Sequence, residues 1–120
     1  MQDYKKLKVY QKAYGLTREI YELTKEWPAY ELYTLTSQIR RSAHSVNSNI
    51  CEGVSRGTIK DSIRFLHAAY ASLKETENHL LLAKDQKYIS EDHYQKFSLK
   101  IDEIGAMLNG FITYKKNLSF

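Results

Sequence analysis

Residues 9–28 read VYQKAYGLTREIYELTKEWP, and this stretch decides the fold class. Val9, Ala13, Leu16, Ile20, Leu23 and Trp27 step by four, three, four, three and four residues. That spacing keeps the apolar side chains on one face of an α-helix, as in a heptad seam. Pro28 ends the run, because proline disfavours a helical residue before it and has no amide proton to donate. The pattern predicts a first helix from Tyr4 to Glu26.

The same logic extends along the chain. Leu32, Leu35, Ile39, Ala43, Val46 and Ile50 share a narrow arc and predict a second helix from Glu31 to Glu52. Gly53 follows as a left-handed stop. Thr58, with Asp61 three residues on, resembles a capping box. It opens a third helix, whose face carries Ile59, Ile63, Leu66, Tyr70, Leu73 and Leu80 and which runs to Lys87. Ser90 is the expected N-cap of a fourth helix, with Glu91 and Asp92 suiting its first turn. There Tyr94, Phe97, Ile101, Ile104, Leu108 and Phe111 continue the spacing, and residues 115–120 are expected to fray. Short connections make sequential helices antiparallel neighbours. The expected fold is therefore all-α: a single antiparallel up-down-up-down four-helix bundle, one domain over residues 1–120.

Composition agrees. One proline and five glycines are too few for a turn-rich sandwich or barrel. Cys51 is the lone cysteine and cannot form an internal disulfide, which points to a reducing compartment. The start MQDYKKLKVYQ holds no apolar signal core, and no apolar run reaches membrane-spanning length. The expectation is a cytoplasmic protein with no membrane partner. A net charge of +4 is compatible with a polyanionic partner, although many soluble proteins carry as much.

Catalytic and metal-binding patterns are not found. None of His44, His67, His79 and His93 has a glutamate three residues before it, as a di-iron bundle would need. Zinc spacing fails with one cysteine. Cys51 has no accompanying oxyanion loop, and residues 53–57, GVSRG, lack the Gly-Lys-Ser/Thr ending of a phosphate loop. No catalytic residue, no metal ligand and no cofactor is expected.

Two surface features remain. Beside the core seam of helix 1 runs a second stripe, Leu7, Tyr10, Tyr14 and Tyr21. A bundle helix needs one buried face, and tyrosine suits subunit contacts because it joins apolar area to a polar tip. Tyr10, Tyr14 and Tyr21 are the candidate oligomer interface. The other feature is basic. Lys5, Lys6, Lys8 and Lys12 cluster at the start of helix 1, and Arg56, Lys60 and Arg64 at the turn between helices 2 and 3. Lys115 and Lys116 lie near the end. Lys5, Lys6, Lys8, Arg56, Lys60 and Arg64 are the candidate contacts to RNA or DNA phosphates.

Residues 38–53 read QIRRSAHSVNSNICEG, and residues 64–80 read RFLHAAYASLKETENHL. On a helix Gln38, Arg41, Ser45, Asn49 and Glu52 form one polar line beside the apolar arc. We read it as the flank of a helix–helix seam in preference to a ligand site. Together the two segments resemble the four-helix-bundle family named for proteins encoded in intervening sequences of 23S ribosomal RNA genes. The resemblance rests on Trp27-Pro28, Glu31, Leu35, the Gln38–Arg41 run that includes Arg40, and Ser45, Asn49, Ile50, Glu52 and Gly53. It continues through Arg56, Phe65, Leu66, Ala69, Ser72, Leu73, Glu75 and Glu77. Ser42 and Cys51 stand where the family pattern has alanine, and Asn47 where proline is frequent.

The resemblance implies a non-enzymatic bundle that assembles into homopentameric rings. One branch of similar fold, the accessory proteins of diversity-generating retroelements, works with a reverse transcriptase and nucleic acid. The branch this chain resembles more closely has no settled biochemical role. A final expectation concerns Glu77, which falls inside the apolar arc of helix 3, where a carboxylate is costly unless paired. Arg18, Arg40 and Arg41 are the candidate partners, with Arg41 first because it flanks the helix 2 seam.

Overall fold

The computed structural model of the chain describes residues 3–118. Within them lie four α-helices, α1 (Lys8–Thr24), α2 (Leu35–Ser55), α3 (Ile59–Asp85) and α4 (Glu91–Asn117). Two short 3-10 turns, Tyr4–Lys6 and Ala29–Glu31, precede α1 and α2. Cross-helix contacts fix the topology. Ser42 meets Thr76 while Ser45 meets Ser72, and Lys12 meets Glu103 while Glu19 meets Lys100. Numbers rise on one helix as they fall on its neighbour, so the bundle is antiparallel, up-down-up-down. It forms a rod of 49 × 24 × 20 Å.

The apolar faces meet along its axis. Val9, Ala13, Leu16 and Ile20 pack with Ile39, Ala43, Val46 and Ile50, and with Leu66, Leu73, Ile101, Ile104 and Leu108. The expected caps form: Thr58 accepts from the Asp61 amide at 3.2 Å, and Ser90 from the His93 amide at 3.0 Å. Among the described residues, no helix is long and apolar enough to cross a membrane.

Four boundaries differ from expectation. The chain is extended at Leu7, so α1 starts at Lys8; Asp3 caps the preceding turn by accepting from the Lys5 amide. A second break at Thr34 (φ −121°, ψ −104°) delays α2 to Leu35 and leaves Leu32 45% exposed instead of in the core. Gly53 is no left-handed stop. It is buried inside α2, and a Cβ there would lie 3.1 Å from the Ser62 carbonyl oxygen and 3.3 Å from Leu66. The glycine permits α3 to approach α2 closely. At the far end α4 continues through Asn117, beyond the expected fraying at Lys115; residues 119–120 lie outside the described part.

The left-handed residue the chain does use is Lys87 (φ 65°), after α3. The Tyr88 amide donates to Ala83 O at 2.8 Å and the Lys87 amide to Lys84 O at 2.9 Å. This is the paired-bond termination known as the Schellman motif, with lysine where glycine is usual.

Candidate functional site

The tyrosine stripe stands along the α1–α2 edge. Tyr14 is 47% and Tyr21 44% exposed, while Tyr10 is half-buried and burial pushes its phenol above the ordinary value. Tyr10 stacks on Tyr14 with ring centroids 6.0 Å apart, and Tyr4 meets Tyr10 edge-on at 4.8 Å. Tyr4 lies outside the stripe that helical spacing predicts, because an unbroken helix turns it away. The break at Leu7 folds it back. Tyr21 lies under the Arg40 guanidinium, 4.9 Å from its carbon to the ring centroid. Arg40 is fixed there by donating from Nε to Thr24 Oγ1 at 2.8 Å. Arginine over an aromatic face adds attraction while both stay half in water.

The antiparallel topology puts the start of α1, the end of α2, the start of α3 and the end of α4 at one end of the rod. Lys5 and Lys6 sit on the first 3-10 turn and Lys8 opens α1. Arg56 caps α2, Lys60 and Arg64 lie early in α3, and Lys115 and Lys116 lie in the last turn of α4. Two of these charges are answered locally. Arg56 pairs with Glu52 at 3.0 Å and Arg64 with Asp61 at 3.5 Å. Both guanidinium groups also lie over Phe65, at 4.4 and 5.0 Å. Lys12 pairs with Glu103 at 2.9 Å. Lys5, Lys6, Lys8 and Lys60 are exposed, and no acid among the described residues is within ion-pair distance of them.

The polar line on α2 serves the α2–α3 seam. Ser45 and Ser72 hydroxyls meet at 2.9 Å, and Asn49 donates to Ser45 O at 2.8 Å and to its hydroxyl at 2.9 Å. Deeper in the seam, Ser42 and Thr76 hydroxyls meet at 2.8 Å. Gln38, Arg41 and Glu52 are exposed. Glu75 makes only a contact with His79, at 3.3 Å.

The expected buried ion pair is not formed. α3 is rotated so that Thr76, fully buried, occupies the centre of the arc and Glu77 its edge, with 24% of its side chain exposed. Glu77 accepts from Lys74 at 3.3 Å and from Ser98 of α4 at 3.1 Å. Arg41 points to solvent. A lysine on its own helix and a serine on the next satisfy the carboxylate at the surface, without burying a second charge.

Two further features were not anticipated. The Trp27–Glu31 corner holds a tyrosine pair: Tyr88 donates to Glu31 at 2.7 Å and lies 3.2 Å from the Tyr30 hydroxyl. Also, α1 leans on α2 and touches α4 more sparingly, which leaves a trough of about 670 Å³ between α1 and α4. Gly15, Arg18, Leu23, His93 and Phe97 line it. Among the described residues, no group of three or more His, Cys, Asp or Glu is placed to hold a metal ion.

No curated protein matches the chain. A crystal structure at 1.70 Å is similar to it, of a protein of unknown function from the S23 ribosomal protein family of Bacteroides thetaiotaomicron VPI-5482. The two share 27% identity with a TM-score of 0.78, over 87% of this chain and 97% of that one. The family profile of the 23S rRNA-intervening sequence proteins matches residues 5–110. With that match spanning most of a chain already seen to fold as a four-helix bundle, the protein belongs to the family of 23S rRNA-intervening sequence proteins.

Proposed function

We propose that this chain is a non-catalytic, self-assembling scaffold or adaptor. The observation that carries the reading is the Tyr10–Tyr14–Tyr21 ridge. Its aromatic area is half exposed on a helix whose other face already supplies the core. Tyrosine and arginine side by side are the residue types that concentrate binding energy at interfaces. The family resemblance implies that five copies assemble. Light scattering at micromolar concentration tests this: the expected mass is a multiple of 14.1 kDa. Tyr14→Asp or Tyr21→Asp is expected to return it to one chain without loss of helix signal. A wild-type protein that stays monomeric defeats the reading.

A second reading, sequence-independent binding of RNA or DNA, is favoured by Lys5, Lys6, Lys8 and Lys60, which have no acidic partner among the described residues. Arg56 and Arg64 contribute less, since Glu52 and Asp61 already answer them. Phosphate contacts of this kind weaken with salt at a slope of about −0.9 per phosphate neutralised on duplex DNA. Binding that is absent at low salt, or a slope unchanged by Lys5→Gln with Lys60→Gln, counts against it.

A further inference from the structure

α1 has two unlike flanks. On one stand Tyr14 and Tyr21, with Arg40 of α2 lying over Tyr21. On the other lies the α1–α4 trough, with Leu23 and Phe97 in its wall. At 3.6 residues per turn the two flanks point roughly 130° apart about the helix axis.

Their charges are opposite in kind. From Leu35 to Cys51, α2 contains no acidic residue, and Arg40 has no ion pair among the described residues. The α1 edge of the trough carries three acids, Glu19, Glu22 and Glu26, against one base, Arg18. Lys100 answers Glu19 and Lys25 answers Glu22, while Glu26 is exposed and has no ion-pair partner among the described residues.

Gly15 is the third observation. It sits inside α1 on the trough side, and a Cβ built there meets nothing within 4 Å. A glycine in a helix interior costs about 1 kcal/mol relative to alanine. Gly53 repays such a cost through close contact with α3. Gly15 has no such contact among the described residues, so the open space above it is available to another molecule.

We propose that the tyrosine ridge of one copy seats in the α1–α4 trough of the next. Tyr14 and Tyr21 pass over Gly15 onto Leu23 and Phe97, and the cationic border of the ridge meets the acidic rim at Glu26. The contact is heterologous: each copy offers a ridge to one neighbour and a trough to the other. Such contacts build a ring where the rotation closes and a filament where it does not. This assignment rests on the self-assembly reading and adds the identity of both faces.

A mixing experiment tests it. Gly15→Trp fills the trough and leaves the ridge intact; Tyr14→Asp with Tyr21→Asp spoils the ridge and leaves the trough intact. Each variant alone is expected to be monomeric by light scattering, with wild-type helix content by circular dichroism. Mixed in equal amounts, they can form one intact junction and no more, so the mass rises to two chains and stops. If Gly15→Trp folds poorly, Glu22→Lys with Glu26→Lys on the exposed rim replaces it in the same mixture. A trough variant that still assembles, the result of ridges pairing with ridges, overturns the proposal, as does a mixture that remains monomeric. Both outcomes leave self-assembly standing. A monomeric wild type removes that reading and this one together.

Discussion

The hydroxyls of Ser42 and Thr76 meet at 2.8 Å in the α2–α3 seam, where Thr76 is fully buried. Thr76 also lies 2.9 Å from Ser72 O, and Ser42 lies 3.2 Å from Ile39 O. Each hydroxyl has one proton. The arrangement that uses the two shorter contacts has Thr76 donating to Ser72 O and accepting from Ser42. In Thr76→Val, the Ser42 proton turns to Ile39 O, so no buried donor is orphaned and one hydrogen bond is lost. In Ser42→Ala, Thr76 keeps its bond to Ser72 O and loses only the proton it accepted. Each single change is therefore expected to cost about 1 kcal/mol, the ordinary net worth of an intramolecular hydrogen bond. The double variant replaces both partners with apolar groups of similar shape, a change that can be nearly neutral. Each single variant also leaves a buried hydroxyl against an apolar neighbour, a cost absent from the double, so the double should cost clearly less than the sum of the two, with a coupling of about 0.5–1.5 kcal/mol. The assay is urea unfolding followed by far-UV circular dichroism, at one fixed protein concentration because an assembling protein's stability depends on it. Additivity within about 0.5 kcal/mol refutes the reasoning, because independent sites add that closely.

Two further predictions follow from the ends of the helices. The Glu31 carboxyl is held below its ordinary 4.5, first by the hydroxyl of Thr34 and then by that of Tyr88. A carboxyl lowered in the fold stabilises it fully above the ordinary value, and the contribution fades as pH falls through the lower folded value. The difference in melting temperature between wild type and Glu31→Gln should thus be present at neutral pH and vanish in acid below that value; a difference constant across the range contradicts it. Lys87 adopts φ 65°, which is strained for a side-chain-bearing residue and free for glycine, so Lys87→Gly should raise stability by about 0.5–1 kcal/mol. A higher urea midpoint with unchanged slope is the expected result, and a lower midpoint counts against it.

The elements legible in the sequence were those set by local rules. The four-three steps of α1 place Val9, Ala13, Leu16, Ile20 and Trp27 in the core, and Thr58 and Ser90 cap as their residue types dictate. What was not legible depended on a neighbour or on helix continuity. Leu32 belongs to the apolar arc only if the helix runs unbroken through Thr34, and it does not. A lone glycine before a turn signals a stop or a close approach with the same letter, and only the position of α3 settles Gly53 as the latter. Glu77 and Thr76 differ by one residue, 100° of rotation, and the Ser42 hydroxyl and Ser72 carbonyl favour Thr76 inside. The placement of Tyr4 on Tyr10 follows from the extended residue at Leu7, which no periodicity announces.

The segment carrying the family resemblance and the surfaces proposed for association occupy different parts of the bundle, for a physical reason. Ser42, Ser45, Asn49 and Gly53 on α2, and Ser72 and Thr76 on α3, are small or short polar residues. They let two helices approach closely and tie them with side-chain hydrogen bonds. That pair is the most closely tied part of the bundle, with the Ser42–Thr76 and Ser45–Ser72 hydroxyl contacts fixing its register. α1 has a weaker hold. Outside the shared core it is joined to α2 by Thr17 and Thr24 and to α4 by the surface pairs Lys12–Glu103 and Glu19–Lys100, of the kind that contributes little in water. A helix left with open flanks on a closely tied base can give both flanks to neighbours without loosening the core. The ridge and the trough lie there.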